Sequence, residues 1–119
     1  MNTSAFSVID VAKQEFVGAV LVDEPDRGAA GIWSIACDDK HIFITHSGTH
    51  EVSVIDHPAM LAKFESYKDK SRLDYDLNFL YGLRERVPLQ GNGPRNFIFS
   101  GDKLIIPTYF ADILNTVDI

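Results

Sequence analysis

The feature that most constrains this chain is a unit of turn, strand, turn, strand, loop and strand that it spells twice. In the second half, Gly91-Asn92-Gly93-Pro94 precedes the apolar run Phe97-Ile98-Phe99, the turn Ser100-Gly101-Asp102-Lys103 and a second apolar run, Leu104-Ile105-Ile106. The loop Tyr109–Asp112 then leads into Ile113–Asp118. The earlier copy sets Gly28-Ala29-Ala30-Gly31 against Gly91–Pro94 and His41–Thr45 against Leu104–Thr108, at an offset of 63. Matching Val52–Asp56 to Leu114–Asp118 needs an offset of 62, so the later copy reads as one residue shorter in the loop after its second strand. Phe6–Asp10 repeats the closing strand once more. Chance likeness of two β-hairpins is the alternative, and the shared order of turn, strand and loop weighs against it.

A repeat of about 40–46 residues carrying four short strands is the signature of propeller blades. The strand pattern agrees with it. A sheet with one wet face alternates apolar and polar residues, whereas His41–Thr45 and Leu104–Ile106 are apolar on both parities and call for cover on both faces. The expected fold is therefore all-β, a partial β-propeller of about two to two and a half four-stranded antiparallel blades. Its blade parts fall at 3–22, 28–89 and 91–119, in a single fragment spanning 1–119. The closing aspartates Asp10, Asp56 and Asp118 stand 46 and then 62 apart, which leaves room for an insertion in the second interval. Residues 57–81 fill it with helix: Asp56 caps, Pro58 sits in the first turn, and Met60, Leu61, Phe64 and Tyr67 recur at helical spacing over 58–68. A second short helix or turn is expected around 74–80. The apolar stripe of the insertion is expected to serve packing rather than a partner groove.

Val52-Ser53-Val54-Ile55-Asp56 and the Gly-x-x-Pro of Gly91–Pro94 resemble motifs of the YVTN-type β-propeller repeat family, found in surface-layer and secreted bacterial proteins. Gly31 stands where that family usually has Pro. The resemblance implies a non-catalytic binding or scaffold segment, with a small ligand or protein partner on the loop face and a periplasmic or cell-surface location. A second resemblance carries the alternative. Thr45-His46-Ser47-Gly48-Thr49-His50-Glu51 followed by a helical insertion is similar to secreted propellers fused to c-type cytochrome or di-haem peroxidase-like modules. On that reading haem belongs to parts outside this segment, which itself holds no cofactor.

Composition removes other classes. A net charge of −6 argues against a nucleic-acid stripe. Nothing approaches the roughly 20 apolar residues of a membrane span, and no signal peptide opens the chain. Cys37 is alone, which leaves no internal disulfide and no Cys-x-x-Cys-His haem attachment, and its strand position reads as a small buried hydrophobe. At 119 residues the chain falls short of the four blades, about 160 residues, that closure requires. It is expected to be a fragment, or to associate through its end blades.

Strand direction alternates, so the loops 23–31, 46–50, 90–95 and 109–112 share one face. Ligand-binding candidates there are Arg27, His46, His50, Asn92, Arg95, Tyr109 and Asp112. Arg95, at the mouth of a strand, offers a forked donor for an anion. His46 and His50 flank one turn as weak metal candidates, but no third ligand stands nearby, and hydrogen-bonding turn histidines are the favoured reading. No catalytic residue is assigned, because no nucleophile elbow, Walker loop or dinucleotide fingerprint appears.

Overall fold

The computed structural model describes residues 3–119. The protein is mostly β, in three separate antiparallel sheets. The first pairs β1 (Ala5–Asp10) with β2 (Glu15–Leu21). The second is a four-stranded meander of β3 (Ile32–Cys37), β4 (His41–His46), β5 (Glu51–Asp56) and β6 (Arg84–Pro88). Between β5 and β6 come α1 (His57–Ser66) and α2 (Lys70–Leu73). The third sheet joins β7 (Ile98–Ser100), β8 (Lys103–Pro107) and β9 (Leu114–Asp118).

The middle sheet is covered on both faces, as the apolar run on both parities requires. Ile42, Ile44 and Ile55 look toward the first sheet and meet Val20 and Val22, together with Met60, Phe64, Leu73, Phe79 and Leu80 of the insertion. Phe43 and Val52 look the other way, onto Leu104 and Ile106 of the third sheet. Burying side chains of this size contributes about 1.5–3 kcal/mol each, so these two layers hold the sheets together. The third sheet behaves differently on its far side. Leu104 and Ile106 are buried, but Ile98 and Leu114 are exposed, so the expected cover on both faces holds for only one of them.

The repeat is more regular than letter matching indicates. Ile42↔Ile55 and Phe43↔Val54 in the second sheet correspond to Leu104↔Val117 and Ile105↔Thr116 in the third. Across the preceding strand, Cys37↔Ile42 corresponds to Phe99↔Leu104, and the Ile32↔His46 pair to the bridge Pro94↔Thr108. All of these lie at a constant offset of 62. The one-residue gap drawn from the sequence is therefore removed. Gly31 is the counterpart of Gly93, not Pro94, and both have φ of +75°.

That conformation is left-handed, and a Cβ there has different neighbours in the two copies. At Gly31 it would lie 2.7 Å from the backbone N of Gly48; at Gly93 it would meet the exposed Phe110 ring, which can swing away. Gly31→Ala is expected to cost on the order of 3 kcal/mol. Gly93→Ala should lose only about 1–2 kcal/mol, the cost of left-handed backbone alone. Thermal unfolding of both variants checks the ordering, and equal losses would contradict it.

The insertion begins as its cap predicts: the Asp56 carboxylate accepts from the N–H of Ala59 at 3.0 Å, with Pro58 in the first turn. His57 N–H donates to the carbonyl of Lys40, which sets the helix at the Asp38 turn, away from the glycine loops. Met60 and Phe64 are buried against the first sheet, so the stripe serves packing. Of the short helix or turn read at 74–80, the structure has the turn, and the short helix α2 lies just before it, at Lys70–Leu73, where Asp69 caps it through Ser71 N–H. Residues 74–83 are turns. Cys37 corrects the sequence reading: it is exposed, since β3 is an edge strand whose residues alternate in burial.

Candidate binding site at the loop end

The glycine loops meet at one end of the sheets through matched hydrogen bonds. Ser47 N donates to Gly31 O at 2.8 Å and Gly48 N to Ala30 O at 3.1 Å. Their counterparts are Tyr109 N to Gly93 O at 2.9 Å and Phe110 N to Asn92 O at 3.1 Å. The two loop pairs are tied together by Gly93 N donating to His50 Nδ1 at 3.1 Å. His50 reaches this position through a left-handed backbone, φ 59°.

Arg95 sits where the second and third sheets meet. Its guanidinium carbon lies 3.6 Å from the Tyr109 ring centroid, 4.2 Å from that of Trp33 and 5.6 Å from that of Phe110. Trp33 stands in the irregular stretch of β3 between Ile32 and Ile35, where Ser34 N donates to the Thr45 hydroxyl instead of across the ladder. That hydroxyl in turn donates to the Arg95 carbonyl, fixing the backbone that carries the guanidinium. Arg95 Nε is buried and has no hydrogen-bond partner among the described residues. A cleft of about 470 Å³ opens here, lined by Trp33, Arg95, Asn96, Pro107, Thr108 and Tyr109.

Behind this end lies a buried ionic cluster. Glu51 and Arg86 are almost completely enclosed, with side chains 3% and 4% exposed, and are joined through Arg86 Nη2 and by Nε at 3.0 Å. Arg27 reaches the other Glu51 oxygen at 3.1 Å. Arg84 pairs with Glu24 at 2.9 Å and donates to the Val22 carbonyl. The remaining Arg86 donors hold the Arg27 and Gly28 carbonyls, so the cluster clasps the loop 23–28 to β5 and β6. Burial alone would raise the Glu51 pKa, but the hydrogen bond from Arg86 and the charges of Arg86 and Arg27 hold it below the usual carboxylate range.

His46 belongs to this interior. Its Nδ1 lies 3.2 Å from the Ala29 carbonyl and its Nε2 2.8 Å from the Ser53 hydroxyl. The carbonyl can only accept, so Nδ1 carries the proton and Nε2 accepts from Ser53. Burial, reinforced by Arg86 and Arg84, lowers its pKa to about 4 against the opposing pull of the Ala29 carbonyl and Glu51. It is a neutral structural histidine at pH 7.

Of the residues singled out from the sequence, Arg95 and Tyr109 come together, with the Asn92 carbonyl and His50 bracing their loops. His46 sits in the ionic interior, Arg27 is exposed and reaches Glu51 from outside it, and Asp112 lies exposed on the loop after Tyr109. Among the described residues, no group of three His, Cys, Asp or Glu could hold a metal ion. Sequence reasoning missed Trp33 as a wall and Phe110 as a third ring near Arg95, and Glu51, Arg84 and Arg86 as a cluster. Arg84-x-Arg86 on one parity of a strand was a usable signal, since two like charges on a half-buried face call for acidic partners.

With that geometry in place, comparison with known proteins adds one likeness. No family model matches the chain, and no curated protein matches it. A chain of the solved Kuenenia stuttgartiensis hydrazine synthase superposes on 98% of this chain with a TM-score of 0.85 and 22% sequence identity. The likeness is one of fold. This chain spans about a third of that one, 35% of its length. Among the described residues, no helix is long and apolar enough to cross a membrane.

Proposed function

We propose that the three sheets are consecutive blades of a β-propeller of YVTN-like type, and that the segment is a non-catalytic binding scaffold whose loop end holds the ligand or partner. One observation carries the reading. The third sheet's open face presents Ile105, Pro107 and Leu114, the 62-offset counterparts of Phe43, Thr45 and Val52, which in the second sheet are covered by the third. A face built to the same plan is expected to take another sheet of the same kind. A periplasmic or cell-surface location follows from the resemblance alone.

The hydrazine synthase likeness favours a second reading, in which such a segment is one part of a longer enzyme chain. Haem, on that reading, lies in parts outside these residues. A Cys-x-x-Cys-His sequence elsewhere in the complete gene would support it, and further blades alone would support the first.

The open face is tested with Ile105→Asp combined with Leu114→Asp. An apolar fluorescent dye should bind the wild-type chain, and the double variant should bind several-fold less dye while losing no more than about 1 kcal/mol of stability. If the variant unfolds instead, the face is already part of a core and the blade reading fails.

A further inference from the structure

We propose that the cleft between Trp33 and Tyr109 is a binding site for small organic carboxylates with a flat apolar body, with Arg95 as the group that recognises the carboxylate. This rests on reading the loop end as the binding end. Two rings, those of Tyr109 and Trp33, lie against the Arg95 guanidinium, so what it has left to offer is the set of N–H donors in its plane. Its Nε is buried without an acceptor, although a buried donor left unpaired is normally costly. The contrast with Arg84 and Arg86 is informative, because those guanidiniums are paired with Glu24 and Glu51. Among the described residues Arg95 has no acidic partner, although the chain carries 17 acidic residues.

The lining decides the class of anion. It contains one cation, no carboxylate, and flat apolar surface from Trp33, Tyr109 and Pro107. A single planar fork matches a carboxylate in two parallel hydrogen bonds. Phosphate usually collects several donors, from lysines or a backbone nest, and neither lines this cleft. Trp33 and Tyr109 are 53% and 64% exposed, so ring surface remains for the body of the ligand to stack on. Trp33 and Arg95 also occupy equivalent places in the repeat, at the 62-residue offset, which puts the ligand at the seam between two successive units.

Trp33 is the sole tryptophan, so its fluorescence reports on this site alone. The probes are benzoate, its neutral isostere benzamide, and inorganic phosphate. Benzoate is expected to change the Trp33 emission saturably, with Kd on the order of 1 mM for so small a molecule. Benzamide and phosphate should each bind at least about 10-fold more weakly. Arg95→Gln should weaken benzoate about 10- to 100-fold with the far-UV circular dichroism unchanged. Should that variant fail to fold, Arg95→Lys keeps the charge without the fork and should still lose about 10-fold.

No saturable benzoate effect, equal binding of benzamide, or full affinity in the Arg95 variants would each overturn the proposal and leave Arg95 a brace between loops. Phosphate binding as tightly as benzoate would overturn the carboxylate assignment. Neither Ile105 nor Leu114 lines the cleft, so a failure here leaves the open-face experiment unaffected, and the reverse also holds.

Discussion

Glu51→Gln is expected to destabilise the protein by about 3–5 kcal/mol, the usual result of removing one partner from a buried ion pair. The substitution keeps the shape of the side chain and removes its charge. Arg86, whose side chain is 4% exposed, would then keep only the edge of Glu24, at 3.4 Å, as a counter-charge. Arg27 would lose its partner as well, and the loop 23–28 would lose part of its clasp to β5 and β6. The penalty comes from the stranded guanidinium and not from the net worth of the pair. Replacing both members, Glu51→Leu with Arg86→Met, is therefore expected to recover most of the loss. Urea unfolding of the single and double variants measures both quantities. A single-variant loss below about 1 kcal/mol would show the cluster to be solvated rather than buried.

Acid should weaken the fold in a window set by His46. Its pKa is lowered to about 4 in the folded protein against 6.5 for an ordinary histidine, so the unfolded chain binds the proton more readily. Stability is then complete above pH 6.5 and declines as pH falls toward 4, by roughly 3 kcal/mol in total. Below that, a second loss follows from Glu51, whose depressed pKa contributes stability above the ordinary carboxylate range and forfeits it as pH drops through the folded value. His46→Asn keeps a donor for the Ala29 carbonyl but cannot take a charge. It should have lower stability at pH 7 and a flat profile between pH 6.5 and 4.5. A wild-type profile that is already flat there would contradict the buried neutral imidazole.

Much of the local structure was legible in the chain because it is dictated by short-range chemistry. The bounds of β3 and β4 follow from Asp38, whose carboxylate accepts from Lys40 N at 2.8 Å and His41 N at 2.7 Å and makes the turn that letters alone indicate. The start of α1 follows in the same way from Asp56 and Pro58. The turn alternative at 74–80 holds, whereas α2 just before it went unread because four residues carry no periodicity. The repeat offset slipped because Gly28 and Gly31 are the same letter, and only the backbone shows which one has the positive φ. That slip also hid the equivalence of Trp33 and Arg95, so one wall of the cleft went unseen while Arg95 and Tyr109 were found. Glu51, Arg84 and Arg86 were passed over for another reason. Charged residues on a strand read as a wet face, and their burial depends on how the loop 23–28 folds over them.

The most direct test of the stacked-sheet architecture is a crystal structure of the natively purified protein. A sheet of the same kind should lie on Ile105 and Leu114 as β8 lies on Phe43 and Val52. A face at Ile105 and Leu114 that is left wet, or covered by a helix, would contradict it.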